Sequence, residues 1–309
     1  MESRPGINKK GRGIDGMTKG VIPLADLRRN CLNYTSYYYE TSKTYPEFHG
    51  VTAGNFDGAG ISHGVIQFNF ISTTLQPIWK DLINNNPISC YNAFEQNDTF
   101  YNTWKNNILT MTTSQLISWG QSITDPSNSH KTVEPWNTYF RQLGIMKESI
   151  DRQMIGVTPY FNSTEIWKSK FGVWSRRGYA LLFDIAVQSG SISTSTQDLI
   201  LSDIAKIDPK LSREEFETAR LLAIANRRAD AVGSTYQASY RDRKTAIAKG
   251  SGTVYGGFVD TTPYDLILEP AFDTDVVAVV PPPPITPTTP VIPTSAPQFV
   301  IINHNLVGV

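Results

Sequence analysis

Two carboxylates stand at a spacing that suits hydrolysis of a glycosidic bond. Glu40 closes an aromatic, helix-like run over residues 32–40, and Asp57 follows seventeen residues later in a Gly-rich turn over residues 54–60. Glycoside hydrolysis needs two such groups, because one protonates the leaving oxygen while the other activates water or attacks the sugar. Glu40 is therefore the candidate general acid, and Asp57 is its candidate partner.

Three further polar residues follow the turn within a short stretch. Ser62 could hold the attacking water, and Gln67 and Asn69 could contact substrate from an amphipathic helix predicted over residues 62–70. Each feature has a simpler explanation, since Asp-Gly pairs are common in turns, a serine can cap a helix, and Glu40 could be an ordinary surface residue. The ordered set, and no single member of it, indicates a catalytic site.

Aromatic side chains surround the candidate acid in the sequence. The tyrosines at residues 37–39 would supply apolar walls that raise the pKa of Glu40 and keep it protonated near neutral pH. Glycines in the turn would let backbone approach a sugar closely. Aromatic residues that could stack on a sugar ring, although core packing is their commoner role, are Tyr38, Tyr45, Phe68 and Trp79.

Composition excludes several classes of function. The chain has 309 residues, 40% of them hydrophobic, which is enough for a sizeable core. Lys+Arg and Asp+Glu are both 28, so no nucleic-acid partner is expected. No window approaches the roughly 20 apolar residues of a membrane span, and the basic N-terminus lacks the apolar segment of a signal peptide. Histidines and cysteines lack metal-ligand spacing, and no nucleotide fingerprint is present, so we expect no metal and no cofactor.

The hydrophobic periodicity predicts a mainly α (α+β) fold with three regions. These are an N-terminal arm over residues 1–23, a catalytic domain over residues 24–269, and a Pro-rich linker with a docking strand over residues 270–309. Loops or a small β-excursion are expected over residues 41–60. Helices are predicted over residues 24–40, 63–84, 99–120, 137–155, 164–171, 174–189, 212–230 and 234–248.

The Glu40–Asp57 set, with Gly64-Val-Ile-Gln67, resembles the chitosanase-like branch of the lysozyme superfamily. In that branch a Glu ends a helix, and an Asp lies on the adjacent β-lobe about eighteen residues on. A Thr that orients water occupies the position of Ser62. Later blocks that are similar to bacterial and phage proteins of this branch are residues 175–192, 241–256 and 264–266.

The resemblance implies a two-lobed, lysozyme-like helical domain and a glycosidase that acts on β-1,4-linked amino-sugar polymers, above all peptidoglycan. Glu40 would protonate the glycosidic oxygen, while Asp57 and Ser62 would activate water, with inversion. If Asp57 points away from the cleft, a lytic transglycosylase that uses Glu40 alone is the better reading. A chitosanase and a free endolysin are further alternatives.

The two ends of the chain suggest docking to other proteins. Residues 1–20 are rich in Gly and Lys, and residues 285–309 follow a proline run and end in an apolar, β-prone segment that must pair with something. A wall-degrading domain with such ends resembles a phage tail or contractile-injection component, which would bind tail or baseplate proteins and act in the bacterial envelope. An adaptor or plug with vestigial chemistry is the non-enzymatic alternative.

Overall fold

The computed structural model describes residues 20–40, 48–52 and 58–272, with the backbone alone for residues 51–52. Asp57 and Tyr45 lie outside the described residues, as do the Pro-rich tail and nearly all of the predicted arm. The predicted region boundaries therefore stay predictions.

Helices dominate the described parts of the chain. They are α1 (Leu24–Thr35), α2 (Leu75–Asn85), α3 (Pro87–Ala93), α4 (Asp98–Thr110), α5 (Thr113–Ser122), α6 (Trp136–Ile145), α7 (Lys147–Phe171), α8 (Arg176–Ser189), α9 (Thr194–Ile204), α10 (Arg213–Asp230) and α11 (Ser234–Lys249). A π-helical turn (Ser36–Glu40) extends α1, and a 3-10 turn (Thr262–Tyr264) follows the last strand. The predicted mainly α (α+β) class is confirmed.

Short antiparallel strands form three small sheets among the described residues. They are β1 (Val51–Thr52), β2 (Ser62–His63), β3 (Phe68–Asn69), β4 (Thr124–Asp125), β5 (Asn128–Thr132), β6 (Ser251–Val254) and β7 (Gly257–Asp260). The first sheet has the order β1-β2-β3, and the others are the pairs β4-β5 and β6-β7. The first sheet confirms the small β-excursion that the sequence predicts shortly after Glu40.

Local sequence rules account for several helix ends. The predicted capping box of α10 is present, because the Glu215 amide donates to Ser212 Oγ at 3.2 Å and the Ser212 amide donates to Glu215 Oε2 at 3.0 Å. Gly190 ends α8 at a positive φ of 70°. The helices predicted over residues 99–120 and 137–155 are each interrupted once, and the one predicted over residues 164–171 is the end of α7.

The prediction of a helix over residues 62–70 is wrong, and so is the first half of the helix predicted over residues 63–84. This segment forms β2, a four-residue turn and β3, and the next helix begins only at Leu75. Gly64 and Gln67 have positive φ values of 87° and 55°, which an α-helix cannot contain. Gln67 and Asn69 therefore belong to a hairpin of the first sheet, and not to a helix as expected.

Helix α7 holds this hairpin against the helical body through Gln153. Its Oε1 accepts from the Val65 amide at 2.9 Å, and its Nε2 donates to the Phe48 carbonyl at 2.9 Å. A Cβ on Gly64 would lie 2.2 Å from Gln153 Oε1, and one on Gly60 would lie 3.1 Å from the backbone of α5. These two glycines therefore permit close packing within the protein itself, and not the close approach to a sugar that was expected of them.

The core centres on α8, which packs against α1, α7, α10 and α11. As predicted for the most apolar stretch, nearly all of α8 is buried, and Phe183 stacks on Phe161 of α7 with ring centroids 4.4 Å apart. Phe68 and Trp79, two of the proposed sugar platforms, are core residues at 2% and 0% exposure. Their assignment as sugar platforms is wrong.

His63 is a buried histidine whose protonation should couple to stability. Its Nε2 lies 2.9 Å from the Phe140 carbonyl, and its ring packs against Trp79. Burial lowers its pKa to about 4, although the hydrogen bond to Phe140 opposes the shift. The ordinary histidine pKa is about 6.5, so between these pH values the unfolded chain binds more protons than the folded one. The free energy of unfolding should therefore decrease as the pH falls through this window.

We expect His63 to account for about 3 kcal/mol of lost stability between pH 7 and pH 4, since one pKa unit corresponds to about 1.4 kcal/mol. Urea unfolding at pH 7, 5.5 and 4 measures the loss. The variant His63→Gln keeps a side-chain donor but does not titrate, so it should lack this part of the pH dependence. Identical pH dependence in both proteins would contradict the assignment.

Candidate active site

Glu40 is the last residue of the π-helical turn that extends α1. Its side chain is 3% exposed, and its Oε1 accepts a hydrogen bond from Arg243 Nη2 at 2.9 Å. Turns of this wide type inside helices frequently mark functional sites. The predicted position of Glu40 at a helix end is thus observed, and the carboxyl group faces the protein interior.

Glu40 belongs to a group of four buried charged residues, which we call the charge cluster: Glu40, Asp184, Arg243 and Lys244. Arg243 donates from Nε to both oxygens of Asp184 at 3.0 and 3.2 Å, and from Nη2 to Oδ1 at 2.6 Å. Lys244 donates from Nζ to Asp184 Oδ2 and to the Asp184 carbonyl, the latter at 3.1 Å. Two acidic and two basic side chains thus meet at one buried site.

Burial and pairing act in opposite directions on these groups. Burial would raise the pKa of Asp184, but Arg243 and Lys244 outweigh it and hold that pKa below its ordinary value. Burial would lower the pKa of Arg243, but Asp184 and Glu40 raise it well above its usual range. For Lys244 burial prevails, with help from the charge of Arg243, and lowers the pKa to about 7 despite Asp184. Arg243 is therefore the permanent cation of the cluster.

The contacts of Glu40 differ from the expected purely aromatic walls. A guanidinium group lies directly on the carboxylate and favours its ionised form. Asp184 offsets this effect because it takes most of the Arg243 hydrogen bonds. Two tyrosine hydroxyl groups also lie near enough to interact with the charge of Glu40. Burial raises the pKa of Tyr160 most, and the charge of Glu40 raises it further. Burial is also the largest cause of the raised pKa of Tyr255. Arg243 lowers that pKa, and the charge of Glu40 raises it.

The other predicted site residues are placed as follows. Ser62 is buried in β2 and pairs in register with Asn69. Gln67 donates from Nε2 to the carbonyls of Gly64 at 2.9 Å and Gly50 at 3.3 Å. Asn69 accepts the Ser72 amide at 2.9 Å and donates to the Gln67 carbonyl at 3.2 Å. Both amides thus brace the hairpin backbone, and their contact with substrate stays a prediction, as does that of Tyr45.

Two members of the charge cluster, Asp184 and Lys244, were not predicted from the sequence. A usable signal was present, because Asp184 is an isolated acid in the most apolar stretch of the chain, and a buried acid needs a cationic partner. From the sequence, four arginines are candidates for ion pairs that steady the cleft: Arg176, Arg177, Arg241 and Arg243. Arg243 contacts Glu40, whereas Arg176 pairs with Asp265 and Arg241 with Asp230. Which partner each arginine takes is decided by packing.

The described residues contain neither a candidate metal site nor a candidate membrane span. No group of three or more His, Cys, Asp or Glu side chains there is arranged to hold a metal ion. No helix in those ranges combines the length and apolarity needed to cross a bilayer.

Replacing Asp184 tests the charge cluster. We expect Asp184→Asn to lower the free energy of unfolding by about 3–5 kcal/mol, because it leaves two buried cations without their shared carboxylate. Asp230→Asn is the matched control: Asp230 also pairs with an arginine of α11 but is 47% exposed, and its loss should cost less than about 1 kcal/mol. Urea unfolding measures both, and equal losses would contradict the account.

Comparison with known proteins yields structural neighbours at low sequence identity. No model of a known protein family matches the chain, and no curated protein matches it. A GH46 chitosanase of Gynuella sunshinyii, solved with chitotetraose, has a TM-score of 0.47 at 10% identity, covering 76% of this chain and 97% of that one. The native chitosanase of Bacillus subtilis MY002 has a TM-score of 0.45 at 14% identity, covering 73% and 86%. At this level of similarity, the charge cluster itself is the observation from which a function can be inferred.

Proposed function

We propose that the protein is a glycoside hydrolase that cleaves a β-1,4-linked amino-sugar polymer, with the glycan strands of peptidoglycan as its substrate. The observation that carries the proposal is the placement of Glu40, which is buried at a helix end and held by Arg243, whose charge Asp184 offsets. A general acid for glycoside cleavage must be fixed in place and shielded from water. The charge cluster meets both requirements.

The cluster also suits both halves of a proton transfer. Before the transfer, Asp184 balances Arg243, so the guanidinium does not by itself require Glu40 to be ionised. After Glu40 has given its proton to the glycosidic oxygen, the new carboxylate lies 2.9 Å from Arg243 Nη2 and is stabilised there. Interactions that strengthen as charge develops lower the barrier, because they favour the transition state over the ground state.

Asp57 is the proposed partner of Glu40. In the sequence it falls between β1 and β2. These two strands belong to the first sheet, which follows Glu40 in the chain. In the proposed mechanism Asp57 activates water, which Ser62 helps to orient, on the face of the sugar opposite to Glu40. Inversion then requires the two carboxyl groups to be roughly 6.5–9.5 Å apart, whereas roughly 5–5.5 Å would indicate retention.

Partly exposed tyrosines beside Glu40 support a sugar polymer as substrate. Tyr37 and Tyr38 of the π-helical turn are half-buried and pack edge to face at 4.9 Å. Tyr264 adjoins both rings, at 6.3 Å from Tyr37 and 6.0 Å from Tyr38. Rings that are neither fully buried nor isolated offer apolar faces with polar rims, which suit sugar rings. Among the proposed platforms within the described residues, Tyr38 is thus the one that is partly exposed.

Substitution of Glu40 tests the proposed function. With peptidoglycan as substrate, Glu40→Gln should lose about a hundredfold or more in rate, as expected when a general acid is removed. Glu214→Gln, an exposed change on α10, should be as active as the wild type. Full activity of Glu40→Gln would rule out the proposal.

The products and a second substrate resolve the alternatives. An active Asp57→Asn variant that releases anhydro sugars would identify a lytic transglycosylase, and an inverted anomer in fresh product would identify an inverting hydrolase. Faster cleavage of chitosan than of peptidoglycan would identify a chitosanase. No cleavage of either polymer by the wild type would favour the adaptor with vestigial chemistry.

We further propose that the protein acts as part of a phage tail or injection particle, with residues 1–20 and 285–309 as its contacts to tail or baseplate proteins. The support is the composition of these two segments. Cross-linking and mass spectrometry of purified particles should give cross-links from both segments to structural proteins. Recovery of the protein only in the free fraction of a lysate would instead indicate an endolysin.

A further inference from the structure

Lys244 is a lysine buried completely inside the protein. Its side chain is 0% exposed, and its Nζ donates to Asp184 Oδ2 and, at 3.1 Å, to the Asp184 carbonyl. The same Nζ lies 4.7 Å from the ring centroid of Tyr240, one turn earlier on α11. An ammonium group in such a place cannot be hydrated, so its charge has to be balanced by neighbouring protein groups.

The carboxylate of Asp184 is shared between the two bases of the charge cluster. Arg243 donates to both of its oxygens, and Lys244 donates to Oδ2. Arg243 also donates from Nη2 to Glu40 Oε1 at 2.9 Å. A series of hydrogen bonds therefore leads from Lys244 through Asp184 and Arg243 to Glu40, and a charge on Lys244 acts on the same carboxylate that offsets Arg243.

The number of protons in the charge cluster determines its net charge. When all four groups are ionised, the charges sum to zero. A general acid must hold a proton, however, and a protonated Glu40 leaves the cluster with one excess positive charge. An unbalanced buried charge is costly. Arginine does not deprotonate in proteins, so Lys244 is the base of this cluster that can release the excess charge.

The surroundings leave this exchange to Glu40 and Lys244. Burial lowers the pKa of Lys244 to about 7, although Asp184 opposes the shift, so its charge changes near neutral pH. Ionisable groups on the neighbouring elements are an arginine and five tyrosines: Arg228, Tyr34, Tyr39, Tyr160, Tyr240 and Tyr255. The arginine stays charged, and burial raises the pKa of each tyrosine. None of these six groups therefore changes its charge near neutral pH.

We propose that Lys244 sets how firmly Glu40 holds its proton, because it competes with Arg243 for the carboxylate of Asp184. A charged Lys244 neutralises part of the Asp184 charge, so Arg243 then favours the ionised form of Glu40. An uncharged Lys244 leaves Asp184 to offset Arg243, and Glu40 keeps its proton. Lys244 is thus a positioning residue for this proton. That the proton goes to a glycosidic oxygen rests on the proposed function, whereas the coupling of Lys244 to Glu40 does not.

The test measures the titration midpoint of Glu40 in variants of Lys244. Carbon-13 NMR of labelled glutamate carboxyl groups gives the midpoint, with the Glu40 signal assigned through Glu40→Gln. Lys244→Met has a similar length and no charge, and Lys244→Gln has no charge but keeps a donor for Asp184. We expect both variants to raise the midpoint by about one pH unit, since a buried unit charge has been removed nearby. A folding defect in one of them does not decide the result.

Two matched variants separate the charge of Lys244 from its packing. Lys244→Arg keeps a permanent positive charge, so its Glu40 midpoint should be no higher than that of the wild type. Lys249→Met removes an exposed charge at the end of the same helix and should leave the midpoint unchanged. With peptidoglycan, the basic limb of the kcat/KM profile should move to higher pH in the two neutral variants of Lys244, because this limb reports loss of the proton from the acid.

Each outcome decides either the coupling or the function. An unchanged or lowered Glu40 midpoint in both neutral variants would overturn the inference. A midpoint that rises equally in Lys244→Arg would also overturn it, because packing and not charge would then be the cause. A raised midpoint in the neutral variants of a protein whose wild type cleaves no glycan would support the coupling and contradict the proposed function.

Discussion

The architecture around the site depends on one guanidinium group bound between two buried carboxylates. Arg243 is 1% exposed and pairs with Asp184 and Glu40, which are 0% and 3% exposed. A charge in such a place is tolerated only when its partners are exact in position and number, since removing one partner leaves another charge buried alone. The π-helical turn, α8 and α11 must therefore converge on this point. The packing that builds the helical body therefore also places the candidate acid.

The smaller elements keep the region beside Glu40 in a defined place. Gln153 ties the first hairpin to α7 through the Val65 amide, and Gly64 leaves the space that the glutamine fills. The last hairpin returns along the end of α11, where a Cβ on Gly252 would lie 2.9 Å from the Ala246 Cβ. The sheets are short, but each is attached to a helix that also contributes to the core. The short sheets therefore position the segments beside Glu40, and the helical core keeps those segments rigid.

Much of the fold could be predicted because it is coded locally. The capping box of α10, the glycine that ends α8 and the helix that ends at Glu40 all follow from spacings of a few residues. The segment over residues 62–70 could not be read in this way. Its apolar residues fit a helix, but the positive φ at Gly64 and Gln67 and the contact with Gln153, 88 residues away from Val65, impose a hairpin.

The sequence by itself determined the candidate acid, its place at a helix end and the mainly helical class, since these depend on residue type and short-range periodicity. Only the tertiary structure decided what Glu40 touches. Its partner Arg243 is 203 residues away in the chain, and Asp184 and Arg243 are separated by 59. No spacing rule connects residues at such separations. The packing of α8 against α1 and α11 brings them together, and the cost of burying an unpaired charge then selects the pairs that form.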